Sequence, residues 1–244
     1  MNRRRITPVA AALLALSLAG CNPQAADTGD SKPSEAEGSS AASPAPSGAA
    51  GGPAEGALSL ADAIAKIPAG TEKRDGYERD SFNHWVDEDD DGCETRAEVL
   101  LEEATTKPQQ GDRCVLTGGV WMSYYDGAEI TEARKLDIDH MIPLAEAWDS
   151  GAFGWSADRR EAFANDLGAE RSLVAVTAKT NRSKSDRDPA SWLPPAEATH
   201  CQYAADWTAT KLRWGLNADD KERAALVKLA DSCADTTVNY EVAP

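Results

Sequence analysis

Four cysteines, Cys93, Cys114, Cys201 and Cys233, lie downstream of an export-type leader and limit the fold more than any other feature. The leader opens with Arg3, Arg4 and Arg5, continues as an apolar run from Ala10 to Leu18, and closes on Leu18-Ala19-Gly20-Cys21. That run is too short to span a bilayer and has the dimensions of a secretory core. A chain delivered to an oxidising compartment with an even number of thiols is expected to fold around disulfides. Three connectivities are open. Nearest-neighbour pairing, Cys93–Cys114 and Cys201–Cys233, closes loops of about 20 to 30 residues, each stabilising by roughly 3–4 kcal/mol on the chain-entropy account. Zinc is the competing use of these thiols. It is disfavoured because the chain has no C-x-x-C pair and only His200 adjoins a cysteine.

Leu18-Ala19-Gly20-Cys21 resembles the lipobox of bacterial lipoprotein signal peptides. The resemblance implies that Cys21 becomes the lipidated first residue of an exported protein. It would be anchored at the outer face of the cytoplasmic membrane or the cell surface, and touch the membrane only through that lipid. After the leader, residues 1–21, comes a linker over 22–57, where 27 of 36 residues are Ala, Gly, Pro or Ser. Such a segment cannot bury enough surface to offset its ordering, and as a coil it would span about 30–36 Å. Residues 58–244 remain for one domain, with seven Trp to help build a core.

Charge runs against a polyanion partner. The formal charge of −16 becomes −19 once Arg3, Arg4 and Arg5 leave with the leader, whereas nucleic-acid binders usually carry a basic footprint. Locally the balance reverses: Lys179, Arg182, Lys184 and Arg187 surround Asn181, opposed within that stretch only by Asp186.

Hydrophobic spacing predicts a short helix over 59–67 and weak helix over 77–86, with Phe82, Trp85 and Val86 inward. Thr95-x-x-Glu98 fits a capping box. Segments 114–117 and 120–125 flank Gly118-Gly119 as a hairpin. A strand is expected over 135–142, then an insertion over 144–171 holding a helix opened by Ser156 and running through Phe163 and Leu167. A second strand over 173–176 leads into a helix carrying Asn181. Two C-terminal helices follow, the second capped by Asn217 with Leu226 and Leu229 inward. The fold class is α+β, mainly helical around a small ββα unit.

The chemistry concentrates in Asp137-Ile138-Asp139-His140-Met141-Ile142-Pro143 and in Asn181-Arg182-Ser183-Lys184-Ser185-Asp186. Phosphodiester hydrolysis needs a base that titrates near neutrality, and His140 suits that task. It also needs a cation against the developing phosphate charge. Mg²⁺ or Mn²⁺ takes few protein oxygens, and Asp139 with Asn181 supplies two. Neighbouring strand residues face opposite ways, so Asp139 and His140 must sit at a strand end or bulge.

These two segments look like the ββα-metal motif of HNH endonucleases, close to its form in RNA-guided effector nucleases and in the C-terminal domain of modification-dependent restriction enzymes. The resemblance implies His140 as general base, Asp139 and Asn181 as metal ligands, and Lys184 as the helix lysine at the phosphate. More loosely it covers residues 75 to 233, like exported HNH-family proteins of actinobacteria. The middle Asn that orients the His loop in many such motifs is replaced here by Arg171-Ser172, with Asn165 a substitute from the insertion. The expected activity is metal-dependent cleavage of DNA and possibly RNA, with nucleic acid as substrate and no protein partner.

A second metal pattern is Asp87-x-Asp89-x-Asp91-Gly92 followed by Glu98, which matches an EF-hand loop at its charged positions and its Gly. Glu94 departs from it, standing where that loop is usually apolar, and Cys93 is expected in a disulfide. The alternative function resting on this loop is a calcium-stabilised surface module without catalysis. Hydrolysis of another phosphodiester is a third reading. His84 is expected to be a surface or packing residue, and His200 a structural one.

Overall fold

The computed structural model describes residues 56–244; the leader, Cys21 and nearly all of the linker lie outside them. The first half comprises β1 (Leu58–Ser59), α1 (Leu60–Lys66), α2 (Thr95–Glu103), β2 (Gln109–Gln110), β3 (Leu116–Thr117), β4 (Trp121–Met122) and β5 (Glu129–Ile130). Then come β6 (Leu136–His140), α3 (Leu144–Asp149), α4 (Ala157–Ala164), β7 (Leu173–Thr177), α5 (Ala178–Lys184), α6 (His200–Trp214), α7 (Asp220–Asp231) and β8 (Thr237–Val238). Among the described residues the architecture is α+β, with four antiparallel two-stranded sheets, β1–β8, β2–β3, β4–β5 and β6–β7.

The β6–β7 pair organises the molecule. It runs in unbroken register from Leu136 opposite Thr177 to His140 opposite Leu173. Alternate side chains of a strand face opposite ways. Val174 and Val176 therefore enter one core with Tyr203, Trp207 and Leu226. Leu173 and Ala175 join Leu136, Ile138, Val99, Leu100 and Trp121 in another. A strand buried on both faces reads as an unbroken apolar run, which is why Leu173-Val174-Ala175-Val176 lacks alternation.

Buried tryptophans need partners for their indole N–H. Trp121 donates to the Leu100 carbonyl, Trp207 to Glu222 and Trp214 to Asp166. Lys211 of α6 is fully buried and gives its ammonium protons to Glu146, Glu222 and the Asn217 carbonyl. That anchor ties α3, which follows β6, to the C-terminal helices. Disulfides join Cys93 to Cys114 and Cys201 to Cys233, as nearest-neighbour pairing predicts.

Several local expectations fail for identifiable reasons. No hairpin forms around Gly118-Gly119: β3 pairs back to β2 and β4 forward to β5. The Trp121 ring occupies the space where a Gly119 side chain would be, 2.5 Å from its ideal Cβ, and its indole bond draws 120–122 onto α2. Over 77–86 only a 3-10 turn at Arg79–Ser81 forms. The capping box is not made, because Thr95 lies inside α2 and bonds the Val86 carbonyl and Asn165. Asp219, not Asn217, caps α7 through the Glu222 N–H. Ser156 caps α4 as expected, but the helix ends before Leu167, which is exposed.

Candidate active site

Helix α5 grows directly out of β7, with the Thr177 hydroxyl accepting from the Thr180 N–H. Residues three apart on a helix share a face, so Asn181 and Lys184 both confront β6. Residues two apart on a strand share a face too, so Asp137 and Asp139 answer them. The spacings are about 4.5 Å on the helix and about 6.6 Å on the strand, close enough for each carboxylate to meet one helix residue. Asn181 Nδ2 donates to Asp137 Oδ2 at 3.2 Å, and Lys184 Nζ donates to Asp139 Oδ2 at 2.5 Å.

Lys184 is fully buried, and its other two protons go to the His140 and Met141 carbonyls at 2.8 and 2.9 Å. This corrects the sequence reading, in which Lys184 reaches a phosphate: it has no exposed surface and no proton to spare. Its role is to lock the end of β6 and its metal-ligand candidate. Burial pulls Asp139 up and Lys184 down, each opposed by their mutual contact. We assign the ionised pair, because three acceptors around Nζ match an ammonium, and Asp139 Oδ2 accepts from both Lys184 and the Tyr125 hydroxyl at 2.6 Å. With Oδ2 saturated, Oδ1 is the atom left for a cation. Asn181 is likewise oriented: its Nδ2 is spent on Asp137, so Oδ1 is its free ligand atom.

His140 shows that no bulge is needed to bring the Asp-His pair together. The ladder continues through it, and the strand ends there. Its side chain leaves by the opposite face and packs between Trp85, at 5.5 Å between centroids, and Phe163, at 6.3 Å. His140 Nε2 lies 2.9 Å from the Ala164 carbonyl. A carbonyl only accepts, so Nε2 carries the proton and Nδ1 presents a lone pair. Burial pushes His140 down to about 3, which keeps the imidazole neutral. An anionic group arriving nearby would raise it again.

Asn165 does not orient His140. Its amide donates to the Asn83 and Glu161 carbonyls and accepts from the Val86 N–H and the Thr95 hydroxyl. The preceding residue's backbone carbonyl does the orienting, and a sequence offers no sign of that.

Asp139, His140 and Asn181 line one cleft of about 440 Å³, together with Tyr77, Arg79, Pro143, Arg182 and Asp186. Two guanidinium groups thus face the cleft, while Lys179 and Arg187 are not among its lining residues. A larger cleft of about 700 Å³, between the 168–172 connection and α6, contains none of these groups. Chemistry rather than size selects the site. The donor set suits a hard divalent cation, which accepts a few oxygens and keeps much of its water.

Residues 92–229 match the family described as GmrSD restriction endonucleases, C-terminal domain. The chain belongs to that family. An uncharacterized secreted protein of Arthroderma benhamiae is 40% identical over 177 residues, covering 72% of this chain and 84% of that protein. No solved structure matches. The GmrSD-family segment contains Tyr125, Asp137, Asp139, His140, Asn181 and Lys184, the whole strand–helix unit. Tyr77, Arg79, His84 and Trp85 reach the cleft or its histidine from outside that segment.

The acidic loop is also assembled. Carboxylate oxygens of Asp87, Asp89 and Asp91 lie within 4.8 Å of one another, and so do ligand atoms of Asp91, Cys93 and Glu98. Burial, then Asp91, Asp89 and Asp87, push the Glu98 carboxyl up. Cys93 is committed to its disulfide, leaving the four carboxylates. His200 Nε2 meets the Pro194 carbonyl at 2.8 Å, a structural role as expected.

Proposed function

We propose that this protein hydrolyses phosphodiester bonds of nucleic acid, with HNH-type chemistry centred on His140. One arrangement carries the reading. Two oxygens, Asp139 Oδ1 and Asn181 Oδ1, each with its partner atom already engaged, line the same cleft as a neutral histidine with a fixed tautomer. Membership of the GmrSD C-terminal domain family supports it.

In this reading His140 Nδ1 takes the proton of an attacking water, while the Ala164 carbonyl steadies the imidazolium through Nε2–H. Trp85 and Phe163 hold the ring plane. Asp139 and Asn181 would hold one Mg²⁺ or Mn²⁺, which when bound would offset charge on the phosphate and leaving oxygen. Tyr125 and Lys184 keep the Asp139 carboxylate in one orientation, and Asp137 does the same for Asn181.

The reading extends to place. The leader motif and the secreted relative support export, and the lipobox supports anchoring through Cys21. A second cation, calcium, is assigned to Asp87, Asp89, Asp91 and Glu98 as a structural ion, on the strength of their clustered oxygens.

The test is cleavage of supercoiled plasmid and of RNA by purified, disulfide-intact protein. Activity is expected with Mg²⁺ or Mn²⁺, and is lost in EDTA and in His140→Ala. Protein that cuts neither substrate with any divalent ion overturns the proposal. A calcium-dependent melting shift without cleavage would favour the binding-module alternative.

A further inference from the structure

We infer that Arg79, steadied by His84, is the side chain that grips the scissile phosphate. This rests on the phosphodiesterase reading above. As a phosphodiester is attacked, negative charge grows on its oxygens, and a guanidinium fork can meet two of them at once. The helix lysine cannot serve, since Lys184 is buried and its three protons are taken. Arg79 and Arg182 are the cations lining the cleft. Arg182 stands beside Asn181 on the helix wall. Arg79 enters from the 3-10 turn far upstream, near the imidazole side.

Arg79 is also unneutralised. Arg74, its near neighbour in sequence, is consumed by Asp149 and Asp186 at 2.6 and 2.8 Å. Among the described residues Arg79 forms no ion pair. One contact is His84, with Arg79 Nη2 3.5 Å from His84 Nε2; the Tyr77 hydroxyl is another. His84 Nδ1 is 2.9 Å from the Phe82 carbonyl, so Nδ1 bears the proton and Nε2 accepts. An imidazole nitrogen, unlike a carboxylate, aims the guanidinium without cancelling its charge. On a chain carrying −19 once the leader is gone, that keeps a full positive charge at the cleft.

The segment holding this pair is built to stay in place. Trp85 adopts φ 64°, a left-handed conformation unfavourable for a bulky side chain. Asn165 pins the backbone on both sides of it, at the Asn83 carbonyl and the Val86 N–H. His84 packs edge-on to Trp85, and Trp85 stacks on His140. Strain held this way marks functional positions. It links the phosphate grip to the general base through three consecutive rings.

The experiment uses the disulfide-intact protein, with plasmid cleavage resolved into kcat and KM across salt concentrations. Arg79→Ala is expected to lower kcat/KM by roughly 100-fold and to reduce the salt slope by about 0.7–0.9. The unfolding temperature should hold, because the side chain is exposed. Arg79→Lys should recover part of the activity, being a point charge without the fork. His84→Ala should cost less, and nothing further when added to Arg79→Ala, whereas a merely structural His84 would show additive losses and a lower unfolding temperature. If wild type cuts and Arg79→Ala cuts with the same kcat/KM and salt slope, the inference is wrong and the nuclease reading stands. If wild type cuts nothing, both fall. Should Arg79→Ala fail to fold, Arg79→Lys decides alone: full wild-type kinetics there would overturn the fork.

Discussion

Lys184 separates two views of this site, and Lys184→Met tests them. If the lysine touches substrate, its loss weakens cleavage and leaves the fold intact. The structure requires the opposite order of effects. Met fills similar volume but leaves the Asp139 carboxylate without its cation and the His140 and Met141 carbonyls without a donor. Removing one partner of a buried ion pair costs about 3–5 kcal/mol. For a domain of this size each kcal/mol moves the unfolding temperature by about 2–4 °C, so a drop of roughly 10 °C is expected by circular dichroism. The deficit should shrink in acid. Asp139 is held above its ordinary value by burial, and losing Lys184 raises it further. Once protonated, it needs no cation. Asp139→Asn in the Lys184→Met background should therefore recover part of the loss. Because the pair is buried, added salt should change little. A Lys184→Met protein melting within about 1 °C of wild type, with only its KM raised, would refute this assignment.

Other consequences follow from single contacts. Asp137→Ala frees the Asn181 amide to rotate, and Mn²⁺ affinity measured calorimetrically should fall by about 10- to 100-fold. Burial pushes Glu103 up to about 7, with one oxygen on the Ala175 N–H and the other unpartnered. A carboxyl raised this way stabilises the fold fully below its unfolded value and loses that contribution as pH rises through 7. Glu103→Gln should thus gain about 1–3 kcal/mol over wild type at pH 8 and nothing at pH 4, read from urea unfolding. Calcium at about 100 times its dissociation constant should add about 2.7 kcal/mol of stability. Asp89→Asn should reduce that gain, and equal melting with calcium and with EGTA would remove calcium from the account.

What could be read from the sequence was set by chemistry local to it. Asn181 and Lys184 had to share a helix face because of their spacing, and the Asp139-His140 pair had to sit at a strand end or bulge, which is the strand end before Pro143. The disulfide pairing was also legible, since nearest-neighbour loops of this length form readily. The failures involve long-range choices. Gly118-Gly119 looked like a hairpin, but a buried Trp121 seeking an acceptor for its indole prevailed. Thr95 and Glu98 looked like a capping box, but Thr95 bonds Asn165, 70 residues away. Arg79 left no trace in pattern or spacing.

The sequence by itself determined the catalytic candidates, the strand–helix unit that carries them, and the thiols that brace the fold, because side-chain period and loop length are properties of the local chain. Tertiary structure alone decided what each candidate can do. Whether a lysine faces water or a buried carboxylate, and which imidazole nitrogen keeps its proton, depends on groups far along the chain. The Ala164 carbonyl, the Tyr125 hydroxyl and the Arg79 guanidinium meet the motif only after packing closes around β6 and β7. Burial then keeps the His140 imidazole neutral.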